Sequence, residues 1–192
     1  NLIERGRVRA VFYSPAFQGM MEDIGRTVKA IDYFICMEEL TMEGSSDTRF
    51  ISMPSLIRQG KKLIGEGNTE FINTSIDNEK MSVLLFTSGT TSLSKGVMLS
   101  HRNLSSNVLS IAATIKTVKK DVYLSILPLH HTFENTVGFM FMVFSGVCIA
   151  YCEGIKYIAP NILEYNVTLL VAVPAIFEAM YKRLIAGVKA SG

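Results

Sequence analysis

Met81-Ser82-Val83-Leu84-Leu85-Phe86-Thr87-Ser88-Gly89-Thr90-Thr91-Ser92-Leu93-Ser94-Lys95-Gly96 is an apolar run that breaks abruptly into hydroxyls and glycines and ends on a lysine. The first part reads as a β-strand, rich in residues that pack on a pleated surface. The second part reads as a donor-rich loop. Its backbone N–H groups can converge on an anion, and Ser and Thr hydroxyls can add further hydrogen bonds. Gly89 and Gly96 allow backbone angles and close approaches that other residues resist, and Lys95 supplies a compact positive charge suited to phosphate oxygens. A solvated Ser/Thr/Gly loop beside an ordinary surface lysine is the bland reading. The preceding strand and the order of the residues favour the anion site. A Walker loop is excluded, because that motif places the lysine after its glycine, follows it with Ser or Thr to hold Mg²⁺, and starts a helix there.

Outward from this loop the chain alternates strand and helix. Upstream, Arg7 to Tyr13 reads as a strand, Ser14-Pro15 as a turn, and the residues through Val28 as an amphipathic helix. Ala30 to Met37 is short and nearly all apolar, as parallel strands covered on both faces are. Pro54 to Ile64 reads as a helix with Ser52 placed to cap it. Gly65 to Lys80 reads as a polar loop, with a subdivision of the chain near residue 70. Downstream, the pattern predicts a helix over His101 to Lys116 capped by Ser100, and a strand over Asp121 to Leu127. A helix over Phe133 to Phe144, a strand over Val147 to Tyr151 and a helix over Ile158 to Tyr165 follow. Thr168 to Val173 is a strand, and Pro174 opens a last helix. The expected fold is α/β, a layered and mainly parallel sheet with flanking helices.

Composition narrows the function classes. The 192 residues are 48% hydrophobic and 19% charged, with a formal net charge of +2, which suits a folded protein with a core. Basic residues are scattered and no basic run interleaves with aromatics, so nucleic acid is not an expected partner. Cys36, Cys148 and Cys152 make an odd set, read as reduced thiols in a cytoplasmic setting. Cys148 and Cys152 lie in an apolar run and read as buried structural thiols rather than a metal pair. Val137 to Cys152 is almost uninterrupted apolar sequence, but it is shorter than the roughly 20 residues of a spanning helix and is broken at Ser145-Gly146. Spanning is therefore not expected, while peripheral association with a membrane surface stays open. The chain starts at Asn1 without a leader, as a piece of a longer protein would.

Thr87 to Gly96, followed by Val97-Met98-Leu99-Ser100-His101, resembles the ATP-binding signature of the adenylate-forming family, which includes acyl-CoA synthetases, luciferases and peptide-synthetase adenylation domains. The chain departs at Ser92, where the family usually has Gly, and at Ser94, where it usually has Pro. Both changes fall at the loop tip, where they would weaken phosphate affinity. A second stretch, Leu127-Pro128-Leu129-His130-His131-Thr132-Phe133-Glu134, resembles the family's next motif and is similar to that of long-chain fatty acyl-CoA synthetases. Leu170-Val171-Ala172-Val173-Pro174 resembles, more loosely, the strand and helix before the family's adenine-binding motif.

The resemblance implies a two-step ligase using ATP, Mg²⁺, coenzyme A and a long-chain fatty acid; the alternatives are an adenylating enzyme for another carboxylic acid and a non-catalytic nucleotide-binding relative. Thr87, Ser88, Gly89, Thr90, Thr91, Lys95 and Gly96 would hold the nucleotide's phosphates, with Thr90 or Thr91 as the Mg²⁺ contact. His130, His131 and Phe133 would line the acyl and adenylate pocket. The adenylation lysine, the ribose-binding aspartate and the adenine motif have no counterpart here. The resemblance thus implies part of a large N-terminal domain, with no catalytic residue inside it and no ligase turnover by this piece alone. Chain length of the acid and oligomeric state are left open.

Overall fold

A computed structural model describes residues 2–40, 47–87 and 95–191. Two compact units emerge, one formed by residues 1–77 with 86–97 and the other by 78–85 with 98–192. Each is built round a three-stranded sheet.

In the first unit a short helix, α1 (Leu2–Arg5), precedes β1 (Ala10–Tyr13). A single 3-10 turn, Pro15–Phe17, then leads into α2 (Gln18–Thr27). β2 (Tyr33–Cys36) and β3 (Phe50–Ser52) complete a sheet of order β1-β2-β3. Both pairings are parallel, with Phe34 beside Val11 on one side and Phe50 on the other. The central strand Phe34-Ile35-Cys36 is buried, as an all-apolar sequence requires. Tyr13 and Ile31 join Phe34 and Cys36 in the core, and Phe34 stacks on Phe50 at 4.6 Å.

α3 (Met53–Gly65) starts where Ser52 places it: the Ser52 hydroxyl accepts from the Ser55 N–H at 3.2 Å, and Pro54 sits in the first turn. The expected loop after it contains one helical turn, α4 (Glu70–Asn73). β3 was not expected. Only three residues long, it follows a polar stretch that hides any alternation.

β4 (Met81–Thr87) and β5 (Lys95–Ser100) pair with each other as a two-stranded sheet. The Ser82 hydroxyl donates to the Leu99 carbonyl at 3.3 Å, so the start of β4 lies beside the end of β5 and the strands run in opposite directions. β5 was not expected: the sequence reading placed Lys95 and Gly96 in the loop, gave residues 97–99 no element and kept Ser100 as a helix cap. Gly96 and the dense hydroxyls before it masked the short Val97-Met98-Leu99 run.

The second unit continues with α5 (His101–Thr114), whose cap is a reciprocal pair. The Ser100 hydroxyl accepts from the Asn103 N–H at 3.3 Å, and the Asn103 side-chain oxygen accepts from the Ser100 N–H at 2.9 Å. β6 (Val122–Ser125) is followed by a wide, π-helical stretch, Glu134–Phe141, that runs on into α6 (Met142–Ser145). Gly146, at φ 69°, ends it in the left-handed region. β7 (Cys148–Tyr151), α7 (Ile158–Glu164), β8 (Leu169–Leu170) and α8 (Pro174–Ser191) complete the unit. The sheet order is β7-β6-β8, all parallel.

Val108, Tyr123, Phe141, Met142 and Val147 form the core. Cys148 is exposed and Cys152 half-buried, against the expectation of two buried thiols. β7 lies at one side of the β7-β6-β8 sheet and its two end residues, Cys148 and Tyr151, are both exposed, while Cys152 lies just past the strand. Of the apolar run 137–152, Phe141, Met142 and Val147 enter the core while Val143, Phe144 and Tyr151 stay exposed, and among the described residues no helix is long and apolar enough to cross a membrane.

Candidate nucleotide and acyl site

The first motif lies at the open end of the β4–β5 pair. Thr87 ends β4, Lys95 and Gly96 begin β5, and all three are exposed. Ser88, Gly89, Thr90 and Thr91 lie outside the described residues. Among the described residues no acid pairs with Lys95. Its charge is thus available to an anion. A strand delivering the chain to the loop, and a second strand carrying the lysine away from it, hold both stems in extended geometry.

The second motif follows the central strand of the other sheet. β6 ends at Ser125, and Pro128 stops the strand, having no N–H to continue a ladder. Residues 128–131 turn back on themselves, with the His131 N–H donating to the Pro128 carbonyl at 3.0 Å. The Asn135 N–H then donates to the His131 carbonyl at 2.9 Å, tying the turn to the first turn of the helix. His130, His131 and Phe133 are exposed, and the two imidazoles stand 4.5 Å apart between ring centroids. The turn therefore presents both imidazoles and the Phe133 ring to whatever occupies that surface.

Beneath this turn lies a polar cluster that the sequence reading missed. Glu134 is fully buried. Its carboxylate accepts from the Ser125 hydroxyl at 2.6 Å and from the Tyr123 hydroxyl, which stands 2.9 Å from each oxygen. Tyr123 and Ser125 are two apart on β6 and so share a face. Burial, together with the hydrogen bond to Glu134 and its charge, holds the Tyr123 phenol protonated far above its ordinary range. Gly138 makes the space: a Cβ there would lie 2.5 Å from a Glu134 oxygen and 2.7 Å from the Tyr123 oxygen. The signal was available as hydroxyls at i and i+2 on a buried strand, an acid opening the next helix, and a glycine four residues on.

A cavity of about 690 Å³ also lies in this unit, walled by Ile155, Ile158, Ile176, Met180 and Val188 from the α7 and α8 region. His130, His131 and Phe133 do not line it. Among the described residues no group of three or more His, Cys, Asp or Glu side chains could hold a metal ion.

The mainly parallel α/β fold thus carries both stretches that resemble the motifs of the adenylate-forming family, Thr87–Gly96 and Leu127–Glu134, the first described only at its two ends. The family model for AMP-binding enzymes matches residues 3–191, and the chain belongs to that family. Fatty acyl-CoA synthetase B of Dictyostelium discoideum is 29% identical over 161 residues, covering 81% of this chain and 23% of that protein. The peroxisomal long chain acyl-CoA synthetase 6 of Arabidopsis thaliana is 29% identical over 153 residues, 79% of this chain and 21% of its own length. The chain thus spans less than a quarter of either relative. Among solved structures, the anthranilate CoA ligase AuaEII in complex with anthranoyl-AMP superposes with a TM-score of 0.73 at 17% identity, over 92% of this chain and 33% of that one. At that identity the likeness speaks for the fold.

Proposed function

We propose that residues 1–192 form part of the large N-terminal domain of an ATP-dependent acyl-CoA ligase, and that the parent protein activates a long-chain fatty acid. The observation that carries this reading is the pair of motifs, Thr87–Gly96 and Leu127–Glu134, in a chain that matches the AMP-binding family from residue 3 to 191. Relatives named as fatty acyl-CoA and long chain acyl-CoA synthetases support the substrate class. A fold neighbour that holds an acyl-adenylate supports the intermediate.

In the first step a carboxylate oxygen attacks the α-phosphorus of ATP. The bond from that phosphorus to the oxygen bridging to the β-phosphorus breaks, and pyrophosphate leaves with the electron pair. In the second step the sulfur of coenzyme A attacks the acyl carbon and AMP departs. Neither step needs a nucleophile from this chain. The chain's task is to hold phosphates and neutralise charge growing on the pyrophosphate, where fixed donors are worth most. Lys95 acts as the clamp for that charge, and the Ser and Thr residues of the Thr87–Gly96 motif are the further donors that the family resemblance implies. Hydroxyl oxygens of Thr90 or Thr91 suit Mg²⁺, a hard cation that takes oxygen ligands and shields phosphate charge. His130, His131 and Phe133 contribute the wall along which the acyl-adenylate lies.

The test is carboxylate-dependent ATP–pyrophosphate exchange by the full-length parent, across fatty acids of several lengths and a few aryl and amino acids. Exchange with long fatty acids is the expected result. Exchange confined to an aryl or amino acid would keep the chemistry and replace the substrate. Silence across the panel by a folded protein would remove the ligase reading.

A further inference from the structure

We infer that Glu134 is a positioning residue, a carboxylate clamp that closes the base of the loop carrying His130 and His131 by bonding to Ser125 and Tyr123. The acyl-site role of that loop rests on the proposed function; the clamp itself rests on geometry.

Residues 126–131 lie between β6, which ends at Ser125, and a helix that begins at Thr132 and holds Glu134 in its first turn. Ser125 and Glu134 are joined side chain to side chain at 2.6 Å, so the last residue of the strand is tied to the first turn of the helix across the loop's neck. Tyr123, one step deeper on the same face, holds the carboxylate from the strand side. Within the closed loop, the bonds from the His131 N–H to Pro128 and from the Asn135 N–H to the His131 carbonyl fix the backbone beneath the imidazoles.

A carboxylate in a protein interior is a poor choice for stability alone. Apolar residues of similar volume serve as well, and a charge out of water must be matched by donors. Here the donors are two hydroxyls, and among the described residues no cation pairs with Glu134. The first-turn position adds the favourable end of the helix dipole. Gly138 is the second, independent sign: any side chain there would occupy the place of the carboxylate. What the arrangement provides is direction, because hydrogen bonds fix an angle that apolar packing leaves looser.

The experiment uses the full-length parent and three variants, Ser125→Ala, Glu134→Ala and Glu134→Gln. Hydrogen exchange is followed at the His131 and Asn135 amides and, as a control, at the β7 amides. ATP–pyrophosphate exchange is measured in parallel. Ser125→Ala and Glu134→Ala should speed exchange at His131 and Asn135 roughly tenfold, the scale of one charge-assisted hydrogen bond, while β7 keeps its wild-type rate. The carboxylate KM should rise by a similar factor with the ATP KM unchanged. Glu134→Gln keeps an oxygen able to accept from both hydroxyls and should recover most of each loss.

Unchanged amide exchange in both alanine variants overturns the clamp. So does acceleration spread evenly over β7, or a fall in kcat with both KM values fixed, since loss of folded molecules gives that pattern. Should Glu134→Ala fail to fold, Ser125→Ala decides alone. A silent wild-type enzyme would sink the ligase reading, and the amide measurement would still decide the clamp.

Discussion

The two sheets have the same parallel, three-stranded plan and very different central strands. In the first unit β2 offers Phe34, Ile35 and Cys36 to an apolar interior, and charge stays at the rim. There Arg49 pairs with Asp47 at 2.7 Å, bonds the Gly25 carbonyl at 2.7 Å and lies over the Phe34 ring. In the second unit β6 offers Tyr123, Leu124 and Ser125, and a carboxylate is brought inside to meet two of them. The motif residues differ in the same way. Thr87, Lys95 and Gly96 stand exposed at strand ends, while His130 and His131 ride on a loop closed from below. On the proposed function one region lends charge and the other lends geometry, and each can be perturbed separately.

The largest effect is expected at the charged region. Lys95→Ala in the parent should slow adenylation by about 100-fold or more, the loss typical of one electrostatic stabiliser of a transition state. Fatty-acid binding should change much less. Single-turnover adenylation beside equilibrium binding of the acid separates the two, and equal losses in both would contradict the clamp role of Lys95.

The geometric region is sharpened by a pair of glycine substitutions. Gly138→Ala forces a Cβ against the Glu134 carboxylate and should cost about 1–3 kcal/mol, the usual range for overpacking. Gly60→Ala, in α3 with nothing within 4 Å of the added carbon, should instead stabilise by about 0.5–1 kcal/mol through helix propensity. Urea unfolding of the full-length parent reads both. Matching effects at the two sites would mean that the space at Gly138 is not reserved for the acid.

Helix starts come next, and they compare the units directly. Ser52 caps α3 and also donates to a Glu39 oxygen at 3.0 Å, while Ser100 caps α5 within a reciprocal pair at an exposed site. Alanine at either should cost about 1 kcal/mol, with Ser52 the dearer because it is buried and also bonds Glu39. Thermal unfolding of the two variants would reverse that order if burial of the cap were immaterial.

These caps also show what could be read in advance. Ser52 and Ser100 announce their helices because capping is local chemistry, and Phe34-Ile35-Cys36 announces a covered strand because burial on two faces demands continuous apolar sequence. β3 and β5 escaped because three to six residues beside polar loops carry too little alternation. The exposed thiol of Cys148 escaped for a different reason. Whether a strand is central or at an edge depends on sheet order, which local sequence does not encode. Of the candidate site, the loop lysine and tandem histidines were legible from residue type and order. The Glu134 cluster was not, since it needs residues 123, 125, 134 and 138 brought together by a turn and a wide helix.

The smallest effect, and the one that tests the rim of the first unit, is the response to acid. The Asp47 carboxyl is held down to about 2 by hydrogen bonds from the Arg49 side chain and backbone, aided by the guanidinium charge. A carboxyl depressed in the folded state contributes stability that is complete above its ordinary value near 3.8 and lost as pH falls through about 2. Asp47→Asn removes that proton uptake. The stability difference between wild type and variant should therefore be constant above about pH 5 and shrink steadily toward pH 2. Because the pair is partly open to water, the difference should be small at every pH and smaller still in high salt. Urea unfolding of the full-length parent across this range supplies the measurement. A difference that stays flat down to pH 2 would mean that Arg49 is held by the Gly25 and Ile31 carbonyls and the Phe34 ring, leaving Asp47 no part in closing the sheet's edge.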